Sequence, residues 1–160
     1  MKYEHLAHVA FNIHDMEKAL RFYCEGLGLE HAYTVTFDDM VVRLREDGAS
    51  EEVIQRIQPM IGKPWHVYLK IAEGQFLELF YTYKDEPVFT DMAGKCGYQH
   101  LCLEVEDIHQ AWKELVSKGV EPTSAIRRGI DRSYQFWIAD PDGNRIEIMQ
   151  YTKDSHQLNY

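Results

Sequence analysis

A chain of 160 residues suffices for one compact domain or for two small repeated halves, and its 45% hydrophobic and 27% charged residues are ordinary for a globular fold. A formal net charge of −9 argues against the phosphate-backbone binding that depends on Lys and Arg, and it disfavours anionic membrane surfaces. The apolar runs are strand-sized, "MKYEHLAHVAF" has no signal-peptide layout, and Cys24, Cys96 and Cys102 form neither a disulfide framework nor a zinc ribbon. A cytoplasmic protein with no nucleic-acid or membrane partner is expected.

From the N-terminus, "AHVAFNI" alternates like a strand, with Val9, Phe11 and Ile13 as its apolar face and His8, Ala10 and Asn12 opposite. Asp15 suits a helix N-cap, and Ala19, Leu20, Phe22 and Tyr23 recur at helical spacing up to the glycine turn "GLGLE". The stretch "DDMVVRLREDGASEEVIQRIQPMIGKP" holds a short helix after Ser50, with Val53, Ile54 and Ile57 on one face and Pro59 as its stop. It is expected to serve packing rather than to act as a lid. "WHVYLKIAEGQFLELFY" then reads as two strands with a turn between them.

The pattern recurs. "HLCLEVEDIHQAWKELVSKGVE" repeats the strand, the capping aspartate (Asp107), the amphipathic helix (Ile108, Ala111, Trp112, Leu115) and the glycine turn. "SYQFWIADPDGNRIEIMQ" repeats the late strands. The expected fold is α+β, two βαβββ modules. The first spans 1–84 with a helical insertion at about 38–62, the linker 85–98, the second module 99–151, and a polar, loosely ordered tail 152–160. His8 to Glu78 spans 70 positions against 47 from His100 to Glu147, so the insertion adds 70 − 47 = 23 residues.

Each copy also places a carboxylate inside an apolar strand, Glu78 four residues after Gly74 and Glu147 four after Gly143. An unpaired buried charge costs several kcal/mol or takes up a proton. His8, Glu78, His100 and Glu147 all lie on faces opposite the helix-packing sets, which a divalent cation among them explains. His66 also lies in a strand, but it has no histidine counterpart in the second copy and is set aside as a ligand. Cys102, two residues after His100 on the same face, is expected to line the pocket as a buried neutral thiol.

The motifs "HVAFNIHDMEKALRFYCEGLGLE", "HLCLEVEDI" and "DPDGNRIEIMQ" resemble those of the vicinal oxygen chelate superfamily, which includes glyoxalase I, bleomycin-resistance proteins and extradiol dioxygenases. The resemblance implies curved sheets around a metal site, often in a homodimer. The metal ligands would be His8, Glu78, His100 and Glu147, the four-ligand pattern of bacterial-type glyoxalase I. Such a set suits nickel, cobalt, zinc or manganese, with two positions left for a small-molecule substrate bearing adjacent oxygens. The implied activity is that of a lyase or isomerase, with Glu78 or Glu147 as catalytic base and proton transfer through a metal-bound enediolate. An epimerase of an acyl-CoA or sugar-derived acid, or a non-catalytic binding protein, are the alternatives. Asn12 and Thr82 stand where glyoxalase I has an arginine and an asparagine that grip glutathione, so glutathione is not the expected thiol. Asn12, Cys102, Arg127 and Arg128 are candidate substrate-binding residues. Arg127, Arg128 and Arg132 either hold an anionic substrate group at the pocket rim or belong to an ordinary solvated loop.

Overall fold

The computed structural model describes residues 1–2, 4–83 and 97–159. The first copy runs β1 (His8–Ile13), α1 (Met16–Leu20) with a π-helical continuation (Arg21–Gly26), β2 (Glu30–Thr36), α2 (Phe37–Glu46), α3 (Glu51–Ile57), β3 (Pro64–Ala72) and β4 (Gln75–Tyr81). The second runs β5 (Leu101–Glu104), α4 (Ile108–Ser117), β6 (Arg127–Arg128), β7 (Tyr134–Ala139) and β8 (Arg145–Gln150). Among the described residues the strands form two four-stranded sheets of one topology, β1-β4-β3-β2 and β5-β8-β7-β6. In each, the first strand of the copy lies parallel to the last and the other neighbours are antiparallel.

The chain divides into two compact units. One takes Met1–Met16 and the chain from Leu29 through β4; the other takes Glu17–Gly28 and the chain from Gly97 onward. In the first unit Phe11, Ile13, Val67, Leu69, Leu77 and Leu79 are buried, the odd-numbered set that alternation demands. In the second, Leu101, Phe136, Ile138, Ile146 and Ile148 are buried with Ile108 and Leu115 of α4. Asp107 caps α4 by accepting from the backbone N–H groups of His109 and Gln110.

The stretch that follows β1 contributes its packing to the second unit. The Tyr23 hydroxyl donates to Asp140 Oδ2 at 2.9 Å, and a Cβ at Gly26 would stand 2.6 Å from Val120 Cγ2. That approach requires glycine at 26.

Two local expectations change. The insertion holds two helices, because Thr36 and Asp39 form a capping box that starts α2 at Phe37, well before Ser50. In α3, Ile54 is buried while Val53 is exposed. The polar tail is also tied down: Ser155 is fully buried against Ser133 (Oγ–Oγ 2.9 Å), and His156 N and Gln157 Nε2 donate to the Asp131 carbonyl and carboxylate. Its hydroxyls and amides bond back to the chain. The expected linker 85–98 lies, up to residue 96, outside the described residues, as does Cys96. Among the described residues no helix is long and apolar enough to cross a membrane.

Candidate functional site

The two sheets place their carboxylates equivalently. Gly74 (φ 68°) and Gly143 (φ 83°) hold the left-handed turns that lead into β4 and β8. In the first unit Ala10 of β1 lies opposite Glu78, and in the second Cys102 of β5 lies opposite Glu147. The histidine two residues earlier shares that face in each case. His8 Nε2 stands 3.7 Å from Glu78 Oε2, and His100 Nε2 stands 3.3 Å from Glu147 Oε2. Each glutamate is only 6% exposed.

Glu78 has two further neighbours. His66 Nε2 is 3.2 Å from its Oε1, and the Tyr68 hydroxyl, directly across the β3–β4 ladder, hydrogen-bonds to it. Burial holds the His66 imidazole below its usual value, against the opposing pull of Glu78. The ring is therefore neutral near pH 7, and its Nδ1 is buried with no hydrogen-bond partner among the described residues. Tyr68 is raised by burial first and by Glu78 second, so it stays a protonated donor. Discounting His66 for want of a repeat counterpart missed this contact. Alternation in "WHVYLK" places His66 and Tyr68 on one face, and that was the available signal. Gln135 of β7 occupies the matching place, opposite Met149 as His66 is opposite Phe80.

Glu147 is held differently. Trp137 lies across from it in the ladder and meets His100 edge-to-face, the ring centroids 4.7 Å apart. The Arg145 guanidinium sits 4.3 Å above the Trp137 ring. His100 Nδ1 and Trp137 Nε1 are buried with no hydrogen-bond partner among the described residues. Cys102 is exposed rather than buried as expected, because β5 turns that face outward. Its thiol nevertheless faces Glu147; partial desolvation, then the Glu147 charge and hydrogen bond, push it up to about 12. Asn12 is exposed on the His8 face, and Thr82 uses its backbone N–H to bond the Ile13 carbonyl.

A cavity of about 610 Å³ in the second unit is lined by Glu147, Met149, Gln135, Arg127, Arg128 and Asp131, among others. It brings two of the anticipated arginines to the same space as one of the carboxylates. Arg132 is absent from its lining; its backbone sits at φ 70° in the loop before β7.

A cation is chemically consistent with this donor set. Among the described residues, the ion-pair neighbours of the two carboxylates are imidazoles, not lysine or arginine. Imidazole nitrogen and carboxylate oxygen suit a borderline transition metal. Among the described residues no three His, Cys, Asp or Glu side chains already converge as a coordination sphere; the donors stand as two pairs.

The fold agrees with the comparisons. The model of the Glyoxalase/Bleomycin resistance protein/Dioxygenase superfamily matches residues 5–148, and the chain belongs to that superfamily. A protein named lactoylglutathione lyase from Schizosaccharomyces pombe is 26% identical over 96% of this chain, which spans 50% of that relative's length. A probable lactoylglutathione lyase from Synechocystis is 25% identical over 91% of this chain and 94% of its own. A solved glyoxalase family protein from Enterococcus faecalis superposes with a TM-score of 0.66 at 22% identity, covering 93% of this chain and 99% of that one, which establishes likeness of fold.

Proposed function

We propose that the protein is a metal-dependent lyase or isomerase, in which His8, Glu78, His100 and Glu147 are donors to bound divalent metal and a glutamate moves a proton beside a substrate carbonyl. The observation that carries this reading is the pair of glutamates, each 6% exposed, at equivalent ladder positions with imidazole neighbours. Leaving two such carboxylates ionised without a cation costs several kcal/mol. The relatives named as lactoylglutathione lyases support the same class of chemistry.

A divalent cation bound there supplies Lewis-acid stabilisation of charge on two adjacent substrate oxygens. The chain's own residues do the rest. Glu147, which faces a cavity large enough for a small molecule, takes the proton from the substrate carbon and returns it. Glu78, with His66 and Tyr68 beside it, keeps a fixed orientation and remains a ligand.

Metal analysis after mild dialysis is expected to find about one divalent ion per metal site. His8→Ala or His100→Ala should lose it. Stoichiometric metal that survives removal of both His8 and Glu78 would sink the assignment. Metal-loaded protein in deuterated water should also introduce deuterium at a carbon beside the carbonyl of its substrate.

A further inference from the structure

Most charged groups around the Glu147 cavity are already engaged. The Arg128 Nε–H donates to the Arg132 carbonyl at 3.1 Å, and its Nη2 lies 3.5 Å from Asp154. Asp131 accepts from Gln157 Nε2 at 2.6 Å and from Ser133 N at 3.3 Å. Arg127 lines the same cavity and, among the described residues, has no acidic partner. It is an exposed cation in a chain of net charge −9, where carboxylates to pair with are plentiful.

Sheet register fixes where Arg127 stands. It lies opposite Gln135 on β7, which lies opposite Met149 on β8, two residues beyond Glu147 on the same face. Two strand spacings and one two-residue step place the Arg127 and Glu147 Cα atoms roughly 12 Å apart. Both residues line the one cavity from the same face of the sheet, at a separation that a short carbon chain can bridge.

We infer that Arg127 is an anion subsite of the Glu147 cavity, taking a carboxylate that the substrate carries a few atoms from its reacting carbon. This rests on the reading that Glu147 faces the reacting carbon. A carboxylate fits better than a phosphate because, among the described residues, the cavity lining offers one guanidinium without an acidic partner. A dianion would draw on Arg128 as well, and Arg128 is held by Asp154 and the Arg132 carbonyl. The substrate class is accordingly a short acid with adjacent oxygens at one end and a carboxylate at the other. Arg127 selects for that distal group by ion pairing and takes no part in proton transfer.

The test is calorimetric titration of the metal-reconstituted full chain with 2-oxoglutarate and with 2-oxovalerate. Both are five-carbon 2-oxo acids, and they differ by a distal carboxylate against a methyl group. The wild-type protein should bind 2-oxoglutarate at least about 10-fold more tightly, the scale of one charge-assisted contact. R127Q should bring the two affinities within about 2-fold while leaving that for 2-oxovalerate unchanged. Equal affinities in the wild type, a preference that survives R127Q, or a preference lost only in R128Q overturns the subsite. Binding of neither acid overturns it too. Metal content measured on the same samples then shows whether the proposed metal centre falls with it or stands.

Discussion

At the residue scale the two glutamates are chemically identical and differently held. Glu78 has the His66 and His8 imidazoles at 3.2 and 3.7 Å and the Tyr68 hydroxyl as a further partner. Glu147 has His100 at 3.3 Å and the weakly donating Cys102 thiol, and it faces the cavity. A base must leave its resting contacts during turnover, and fewer strong donors make that easier. Glu147→Gln should therefore keep most of its metal and lose turnover by about 10²-fold or more, because glutamine retains an oxygen ligand and loses basicity. Glu78→Gln should weaken metal retention first. Metal content beside the initial rate decides it; near-normal turnover in both variants with metal bound would end the proton-transfer mechanism. The glutamates were readable from "GQFLELFY" and "GNRIEIMQ" because a charge in an alternating apolar run stands out. His66 was readable only from the alternation in "WHVYLK", since repeat symmetry hides any residue that occurs in one copy alone.

At the element scale the π-helical stretch Arg21–Gly26 links distant parts of the chain through one hydrogen bond. Tyr23 is fully buried and donates to Asp140, which also accepts from Asp142 N, Asn144 N and Asn144 Nδ2 in the turn before β8. Burial, and then the Asp140 charge, hold the Tyr23 phenol well above its ordinary value. In the unfolded chain that phenol ionises near pH 10. Above that pH the folded state binds the extra proton, so stability is fully present below about pH 10 and falls as pH rises toward the folded-state value. Tyr23→Phe should cost about 1.5–3 kcal/mol at neutral pH, the worth of a hydrogen bond to a charged group. It should also flatten the alkaline loss by one proton. Urea unfolding at pH 7 and at several values above 10 measures both; an unchanged alkaline slope would show that other tyrosines carry it.

At the scale of the whole molecule, membership of the superfamily leaves the substrate open, because relatives named for one activity are only 25–26% identical to this chain. Asn12 and Thr82 bring no cation to the places where the resemblance implies a glutathione grip, and Arg127 offers one elsewhere. Turnover of the methylglyoxal–glutathione hemithioacetal should accordingly be poor, with a high Michaelis constant; efficient turnover at a low one would refute this. What the sequence determined by itself was everything periodic. Two-residue alternation set which side chains share a face, the repeat set the succession of elements along both copies, and two glycine turns set the phase of both glutamates. These are local or repeated signals, so they survive without knowledge of the fold. Only the tertiary structure decided which distant residues meet. It gave Tyr23 to Asp140, His66 and Tyr68 to Glu78, and the tail serine to Ser133, and it set Arg127 two strands from Glu147. Those contacts depend on strand register and on packing between segments far apart in the chain, and such long-range pairings leave no period for a sequence to display.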